Sequence, residues 1–499
     1  MVDQLVETRF GTVLGTTEGS VNVWKGIPYA QPPVGPLRFR APVPLEPWVG
    51  VRDATAFGPV APQDISVFGG ASNAVVGEGS APVLNEDCLY LNIWAPAGAH
   101  KPRPVLVWIH GGAFILGSGS SPDYDGATFA AHGDVIVVTL NYRLGALGFL
   151  YLGDLSENYA SSGNSGLLDQ VAALQWVHAN IAAFGGDPAN VTVFGESAGA
   201  MSIGTLLALP EAHGLFQRAI LESGAASMIT SRQRAIAVRQ EFFQELNLQD
   251  GALDALASVA VDDLLAAQKS IVQRRGITTL CPVIDGSVLS VHPLEAIASG
   301  TADGIVTLIG TNLDEMKLFT ALGTSSPTPN EQALQQVLGV DGSALLTAYA
   351  TLRELPPQEA WVSMLTDKTF RLPALQLADA LVQRGMQVWM YRFDWATPAF
   401  GGGLGACHAL EVPFVWDHLR GSQLSMFIVG TVTPQMQQLA ERMHNAWIAF
   451  AHSGQPAVAT LPAWPAYDTQ SRTTMIFNEA CHVENDPQAV ERQFWAQHL

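Results

Sequence analysis

The sequence predicts an α/β fold: a mostly parallel central sheet with helices on both faces. Three observations carry this. Short apolar, β-branched runs alternate along the chain with longer stretches of helical spacing. Several runs are apolar at successive positions, as strands buried on both faces are. Hydrophobic residues make up 48% and charged residues 14% of 499 residues, the balance of a large globular core rather than of a disordered chain.

The elements follow in order. Pro28 to Pro47 is proline-rich and reads as an irregular surface arm. Asp64 to Asn85 is rich in Gly, Ser, Ala and Asn and reads as a long loop. PVLVWIHGG (104–112) is a strand stopped by a glycine pair, and VIVVTLNY (135–142) is a second strand. A helix starts near Ser165, with Leu167, Val171, Leu174, His178 and Ile181 at helical spacing, and GGDP (185–188) ends it. VTVFG (191–195) is a third strand, followed by a helix over 198–209. RAILES (218–223) is a fourth strand. Mainly helical residues run to about 270. Further strands are expected at 305–310, 388–395 and 474–478. No repeat or low-complexity linker divides the chain. Length alone would suggest domains of about 150 residues, but the motifs form one continuous pattern, so residues 1–499 read as one domain.

Composition excludes some classes of function. The formal charge is −20, from 45 acidic and 25 basic residues. An acidic surface repels phosphate backbones, which argues against a nucleic-acid partner. The four cysteines, at 88, 281, 407 and 481, are too few for a disulfide scaffold, and they form no CxxC pair with zinc spacing. Cys407 reads as a small buried residue. The N-terminal MVDQLVETRFG has acidic interruptions and no following apolar region, unlike a secretory signal. No apolar run is long enough to span a bilayer. These features point to a soluble cytoplasmic protein.

The strongest chemical signal is Gly195-Glu196-Ser197-Ala198-Gly199, a G-x-S-x-G between a strand and a helix. That context makes the pattern a nucleophile turn. A sharp bend lifts the serine hydroxyl above the sheet edge, the glycines avoid clashes there, and the helix start directs N–H groups toward developing negative charge. Such chemistry needs preorganised donors for an oxyanion. The glycine pair of Trp108-Ile109-His110-Gly111-Gly112-Ala113-Phe114 ends an earlier strand and lets backbone N–H groups approach one ligand atom. The N–H of Ala198 adds a further donor.

A serine nucleophile also needs a base. Of the 12 histidines, His110 belongs to the glycine motif, His178 reads as a core residue on the apolar face of its helix, and His444 and His452 fall in a late helix. His408 stands in the Gly-rich GGGLGACHALE after the 388–395 strand, at the carboxyl end where ligand sites gather. The acid that orients it should lie between Ser and His in sequence. GTNLDE (310–315) offers Asp314 and Glu315, and position does not choose between them.

Taken together, KGIPYAQPPVGPLRF, NEDCLYLNIWAP, HGGAF, NYRLGALGF, GNSGLLDQ, FGGDP, VTVFGESAGA, TNLDE and CHALEVPF resemble the type-B carboxylesterases, the family of bacterial p-nitrobenzyl esterases and the cholinesterases. The likeness runs from about residue 24 to 416 and implies an α/β-hydrolase fold with helical insertions around the active-site mouth. It implies a triad of Ser197, Glu315 and His408, and oxyanion donors at Gly112, Ala113 and Ala198. It further implies polar support from Glu196 and Ser223, and structural ion pairs Arg38–Glu86 and Arg143–Asp187. Two departures stand out. The cysteine that bridges to the Cys88 position in secreted members is replaced by Ala61, so Cys88 is expected free. The 62–87 loop has no tryptophan to hold a quaternary ammonium, and the aromatic pair after the acid is reduced to Leu318-Phe319.

The implied activity is hydrolysis of short- to medium-chain carboxylic esters, small-molecule substrates, through an acyl-enzyme on Ser197, with no cofactor or metal. The same triad would serve an acyltransferase or amidase. A non-catalytic adhesion module is the remaining alternative, disfavoured because the serine is kept.

Overall fold

The computed structural model describes residues 4–64, 82–98, 101–326, 328–339, 341–428 and 430–498. The loop expected over 64–85 falls mostly outside these residues. In chain order the strands are β1 (Gln4–Glu7), β2 (Thr12–Glu18), β3 (Val21–Pro28), β4 (Val51–Asp53), β5 (Tyr90–Pro96), β6 (Arg103–Ile109), β7 (Ile136–Leu140), β8 (Gly186–Glu196), β9 (Arg218–Glu222), β10 (Thr230–Ser231), β11 (Val283–Ile284), β12 (Val306–Asn312), β13 (Val388–Phe393), β14 (Thr473–Phe477) and β15 (His482–Asn485).

Among the described residues a 13-stranded sheet runs in the order β1-β2-β3-β5-β7-β6-β8-β9-β12-β13-β14-β15, with β4 on β2. From β7 to β14 every pair in this order is parallel, and the flanking pairs from β1 to β7 and from β14 to β15 are antiparallel. The parallel strands β6 and β7 are buried at every position. β2 alternates between buried and half-buried positions, as a strand covered on one face does. A separate short parallel pair joins β10 and β11. The core divides into large clusters, one holding Leu167, Val171, Leu174 and Ile181 and the other an aromatic group around Trp108, Phe194 and Trp416.

The expected strands and the helix at Ser165–Asn180 are present. Two readings need correction. His178 is exposed while Leu167, Val171, Leu174 and Ile181 are buried, because its helix turns that position to solvent. Arg143 pairs with Asp169 at 2.7 Å, not with Asp187. Arg143 follows the carboxyl end of β7, whereas Asp187 lies at the start of β8 and caps Ala189 N–H. Parallel strands put those two ends on opposite edges of the sheet. Arg38–Glu86 forms as expected, with both guanidinium contacts at 2.6 Å. Gly185, at φ 87°, ends the helical turn, and the rest of GGDP already belongs to β8. No helix of the described residues is long and apolar enough to cross a membrane.

Candidate active site

Ser197 sits between β8 and the helix Ala198–Leu206, at φ 55° and ψ −122°. A non-glycine residue at such angles is strained and persists only when its surroundings fix it. Here Ser197 N–H donates to Glu222 O at 2.9 Å, and Met201 N–H donates back to Ser197 O at 2.8 Å. The flanking glycines supply clearance. A Cβ on Gly199 would lie 1.9 Å from Ile109 O, and one on Gly195 would lie 2.5 Å from the same atom. The elbow is pressed against the end of β6, and no side chain fits between them.

The glycine motif follows β6 directly. Gly112 has φ 108° and Ala113 has φ 53°, a left-handed pair that turns successive N–H groups to one side. Neither N–H finds an acceptor among the described residues. Ala198 begins its helix, where the first N–H groups have no intrahelical partner. A Cβ on Gly111 would lie 2.8 Å from Glu196 O, so the motif abuts the elbow. His110 is buried beneath, its ring stacked on Tyr142 with centroids 4.5 Å apart. Burial lowers His110 to about 4, so it stays neutral.

His408 joins these parts. Its Nε2 lies 2.9 Å from Ser197 Oγ and its Nδ1 lies 2.7 Å from Glu315 Oε2. Glu315 is fully buried and accepts Asn312 N–H at 2.7 Å through its other oxygen. Asp314 turns away, pairing with Lys317 at 2.9 Å and accepting Ala406 N–H at 3.0 Å. The DE pair thus resolves in favour of Glu315 as the residue on the imidazole.

Glu196 Oε1 approaches His408 Nε2 to 3.1 Å. Burial works against the imidazolium, but the charge of Glu196 and the hydrogen bond that His408 donates to Glu315 outweigh it and push His408 up to about 9. Burial pushes Glu196 itself up to about 8. Among the described residues Ser223 makes no hydrogen bond to the triad. Its hydroxyl donates to Glu411 Oε1 at 3.0 Å, and Asn312 Nδ2 donates to the other oxygen of Glu411. Burial, then the charge of Glu315, raises Glu411 to about 7. Nothing in the sequence pattern singled out Glu411, although it lies within CHALEVPF. Phe370 was equally invisible. Its ring packs 4.9 Å from that of His408, and Phe319 packs 5.0 Å from it. The second ring beside the histidine therefore comes from a distant segment and not from the position next to Phe319. His444 is buried with Nδ1 2.8 Å from Val415 O, and His452 bonds Gly133 O at 2.8 Å; both lie apart from the serine. Cys407 is buried.

A mostly parallel sheet with a serine elbow, an adjoining pair of unpaired N–H groups and a buried Ser-His-Glu line defines a serine hydrolase of the α/β-hydrolase class. The carboxylesterase family matches residues 2–495. The para-nitrobenzyl esterase of Bacillus subtilis is 46% identical over 99% of this chain and 98% of its own length. The phenmedipham hydrolase of Pseudarthrobacter oxydans is 35% identical over 97% of each chain. A carboxylesterase crystal structure from Geobacillus stearothermophilus superposes with a TM-score of 0.88 at 45% identity, over 98% of this chain and 99% of that one. The chain belongs to the carboxylesterase family and is a serine-dependent carboxylic-ester hydrolase.

Proposed function

We propose that Ser197 is the nucleophile, His408 the general base and acid, and Glu315 the residue that fixes the imidazole tautomer. The His408 contacts of 2.9 Å to Ser197 and 2.7 Å to Glu315 carry this reading. Ser197 Oγ attacks the ester carbonyl as its proton passes to Nε2. The oxyanion gathers the N–H groups of Gly112, Ala113 and Ala198. His408 then protonates the departing alcohol, and water repeats the cycle on the acyl-enzyme, releasing the acid. Glu196 and Ser223 support the triad, the first beside the imidazole and the second through Glu411.

The substrates of this reading are short- to medium-chain esters of uncharged, often aromatic, alcohols. Residues 1–499 act as one domain, which the continuous sheet from β1 to β15 supports, and the cytoplasm is its compartment. Ser197→Ala and His408→Ala are each expected to lower kcat by about four to six orders of magnitude, and the double variant by little more, since triad members act as a unit. Losses that multiply in the double variant overturn these roles. Trapping an acyl group on Ser197 by mass spectrometry is the direct complement.

A further inference from the structure

The N–H groups of Gly112 and Ala113 sit on a strained turn. Gly112, Ala113, Phe114 and Gly117 have φ of 108°, 53°, 62° and 106°, a region costly for the alanine and the phenylalanine. The turn closes tightly on itself. A Cβ on Gly117 would lie 2.4 Å from His110 Nδ1 and 2.6 Å from Gly111 O, and one on Gly112 would lie 2.3 Å from Leu116 O. The backbone at 116 and 117 therefore lies directly against residues 110–112.

A strained turn keeps its shape only where its surroundings fix it. At the entry, Tyr142 OH donates to His110 O at 2.9 Å. Midway, Gly145 N–H donates to Phe114 O at 2.7 Å. At the exit, one side chain takes both polar groups of Gly117. Gly117 N–H donates to Gln63 Oε1 at 2.9 Å, and Gln63 Nε2 donates to Gly117 O at 3.0 Å. Nε2 also donates to Ala61 O at 3.0 Å, which fixes the plane of the amide. The arm that carries Gln63 is tied to the sheet in turn. Asn141, just after β7, donates from Nδ2 to Pro59 O at 3.1 Å and accepts Gly119 N–H at 2.8 Å. All four cysteines are free, so the arm has no disulfide to hold it.

We propose that Gln63 is a positioning residue for ester hydrolysis: it holds Gly117, and through Gly117 it aims the N–H groups of Gly112 and Ala113 at the oxyanion. This rests on the roles given above to those N–H groups and to Ser197. Gln63 makes no hydrogen bond to Ser197 or His408 among the described residues, so its effect passes through the turn. Donors aimed at charge that exists only in the transition state lose more against the oxyanion than against the neutral ester when they are misplaced.

The test uses the full-length enzyme, p-nitrophenyl butyrate and an aryl trifluoromethyl ketone. Ser197 Oγ adds to the ketone carbon, its proton passes to His408, and the carbonyl oxygen becomes the oxyanion, so this inhibitor reports on the donors. Gln63→Met removes the bonds to Gly117 and Ala61 and keeps the length of the side chain. At a temperature where circular dichroism shows the variant folded, kcat is expected to fall about tenfold to a hundredfold, with KM within about threefold. Ki for the ketone should rise by the same factor as kcat/KM falls. The corresponding secondary alcohol has no carbonyl to attack, and its Ki should stay the same. If Gln63→Met does not fold, Gln63→Glu decides by the same readouts. It keeps the acceptor for Gly117 N–H, loses the donor to Gly117 O, and is expected to lower kcat about threefold or more. An unchanged kcat overturns the proposal. So does a rise in KM at constant kcat. A fall in kcat that leaves Ki for the ketone unmoved also overturns it, because the defect then lies outside the oxyanion site. A ketone that fails to add to Ser197 of the unaltered enzyme overturns the role of the serine, and this proposal with it.

Discussion

The chemistry of Ser197 turns on which partner His408 Nε2 keeps. Two oxygens face that nitrogen, Ser197 Oγ at 2.9 Å and Glu196 Oε1 at 3.1 Å. In the proposed mechanism the neutral ring accepts the serine proton, and the imidazolium then faces Glu196. The sign of the pH dependence follows. With His408 raised to about 9 and acting as the proposed base, activity is expected to need the deprotonated ring and to fall as pH drops. The midpoint lies above the ordinary imidazole value of about 6.5. Glu196→Gln removes the largest influence that favours the imidazolium, so the acid limb of kcat/KM is expected to move to lower pH. A limb at the same pH in both proteins would show that Glu196 does not tune the base. The sequence made Ser197 and His408 legible because a nucleophile turn and a histidine in a glycine loop each leave a local pattern. Glu315 needed the family likeness, since Asp314 stands beside it with the same charge. Glu411 and Phe370 left no pattern at all, because their roles exist only where segments far apart in sequence meet.

At the scale of the element, the elbow works because β6 and the β8–helix turn share no space for side chains. Gly199→Ala puts a Cβ 1.9 Å from Ile109 O, a backbone atom that cannot swing aside. The turn must shift, which costs about 2 kcal/mol or more. It also moves Ser197 relative to the Gly112 and Ala113 N–H groups, with a loss in kcat of about tenfold to a hundredfold. Gly403→Ala is the control, because that exposed residue has an ordinary φ of −64° and an added Cβ meets nothing nearer than 3.5 Å. Urea denaturation and kcat on both variants check this, and equal effects would refute the clearance argument. The same elements show what patterning reveals. β6 and β7 were readable because each carries an apolar, β-branched run and is buried throughout. Strands β1 to β5 passed unnoticed, since mixed stretches such as Thr12–Glu18 and Val21–Pro28 blur into their turns. Tertiary placement was harder still. Charge and family position suggested Asp187 for Arg143, while the strand direction of the sheet delivers Asp169. The segment Asp367–Arg371 is a π-helical turn, a type common at functional sites. It holds Phe370 against His408.

At the scale of the whole molecule, covalent cross-links and net charge decide how the enzyme responds to its medium. Cys88 is free and fully buried, and burial pushes its thiol well up, out of the reactive range. Reducing agent is therefore expected to leave Tm unchanged. Alkylation of the denatured, unreduced protein should label Cys88, and a Cys88 disulfide in the mass spectrum would refute both expectations. Charge bears on substrate choice, where two effects oppose each other for a cationic ester. The net charge of −20 draws cations in from a distance, but salt limits that pull to about 8 Å at physiological ionic strength. Close to the site the position after the acid carries Leu318 and Phe319, and the rings of Phe319 and Phe370 both pack on His408. Faces engaged with the imidazole are poorly placed to cradle a quaternary ammonium, so the cation–π contact that such a substrate needs is weakened. A neutral aromatic alcohol gains from the same apolar walls, at roughly 25 cal/mol per Å² of surface buried. The local term therefore prevails, and kcat/KM should be highest for p-nitrophenyl butyrate among p-nitrophenyl butyrate, butyrylthiocholine and p-nitrophenyl palmitate. Raising the salt concentration should lower kcat/KM for the thiocholine ester and leave the neutral butyrate unchanged, because only the cation is steered. If the thiocholine or palmitate ester proved the best substrate, this account of the walls around His408 would be wrong, while the roles of Ser197, His408 and Glu315 would stand on their own test.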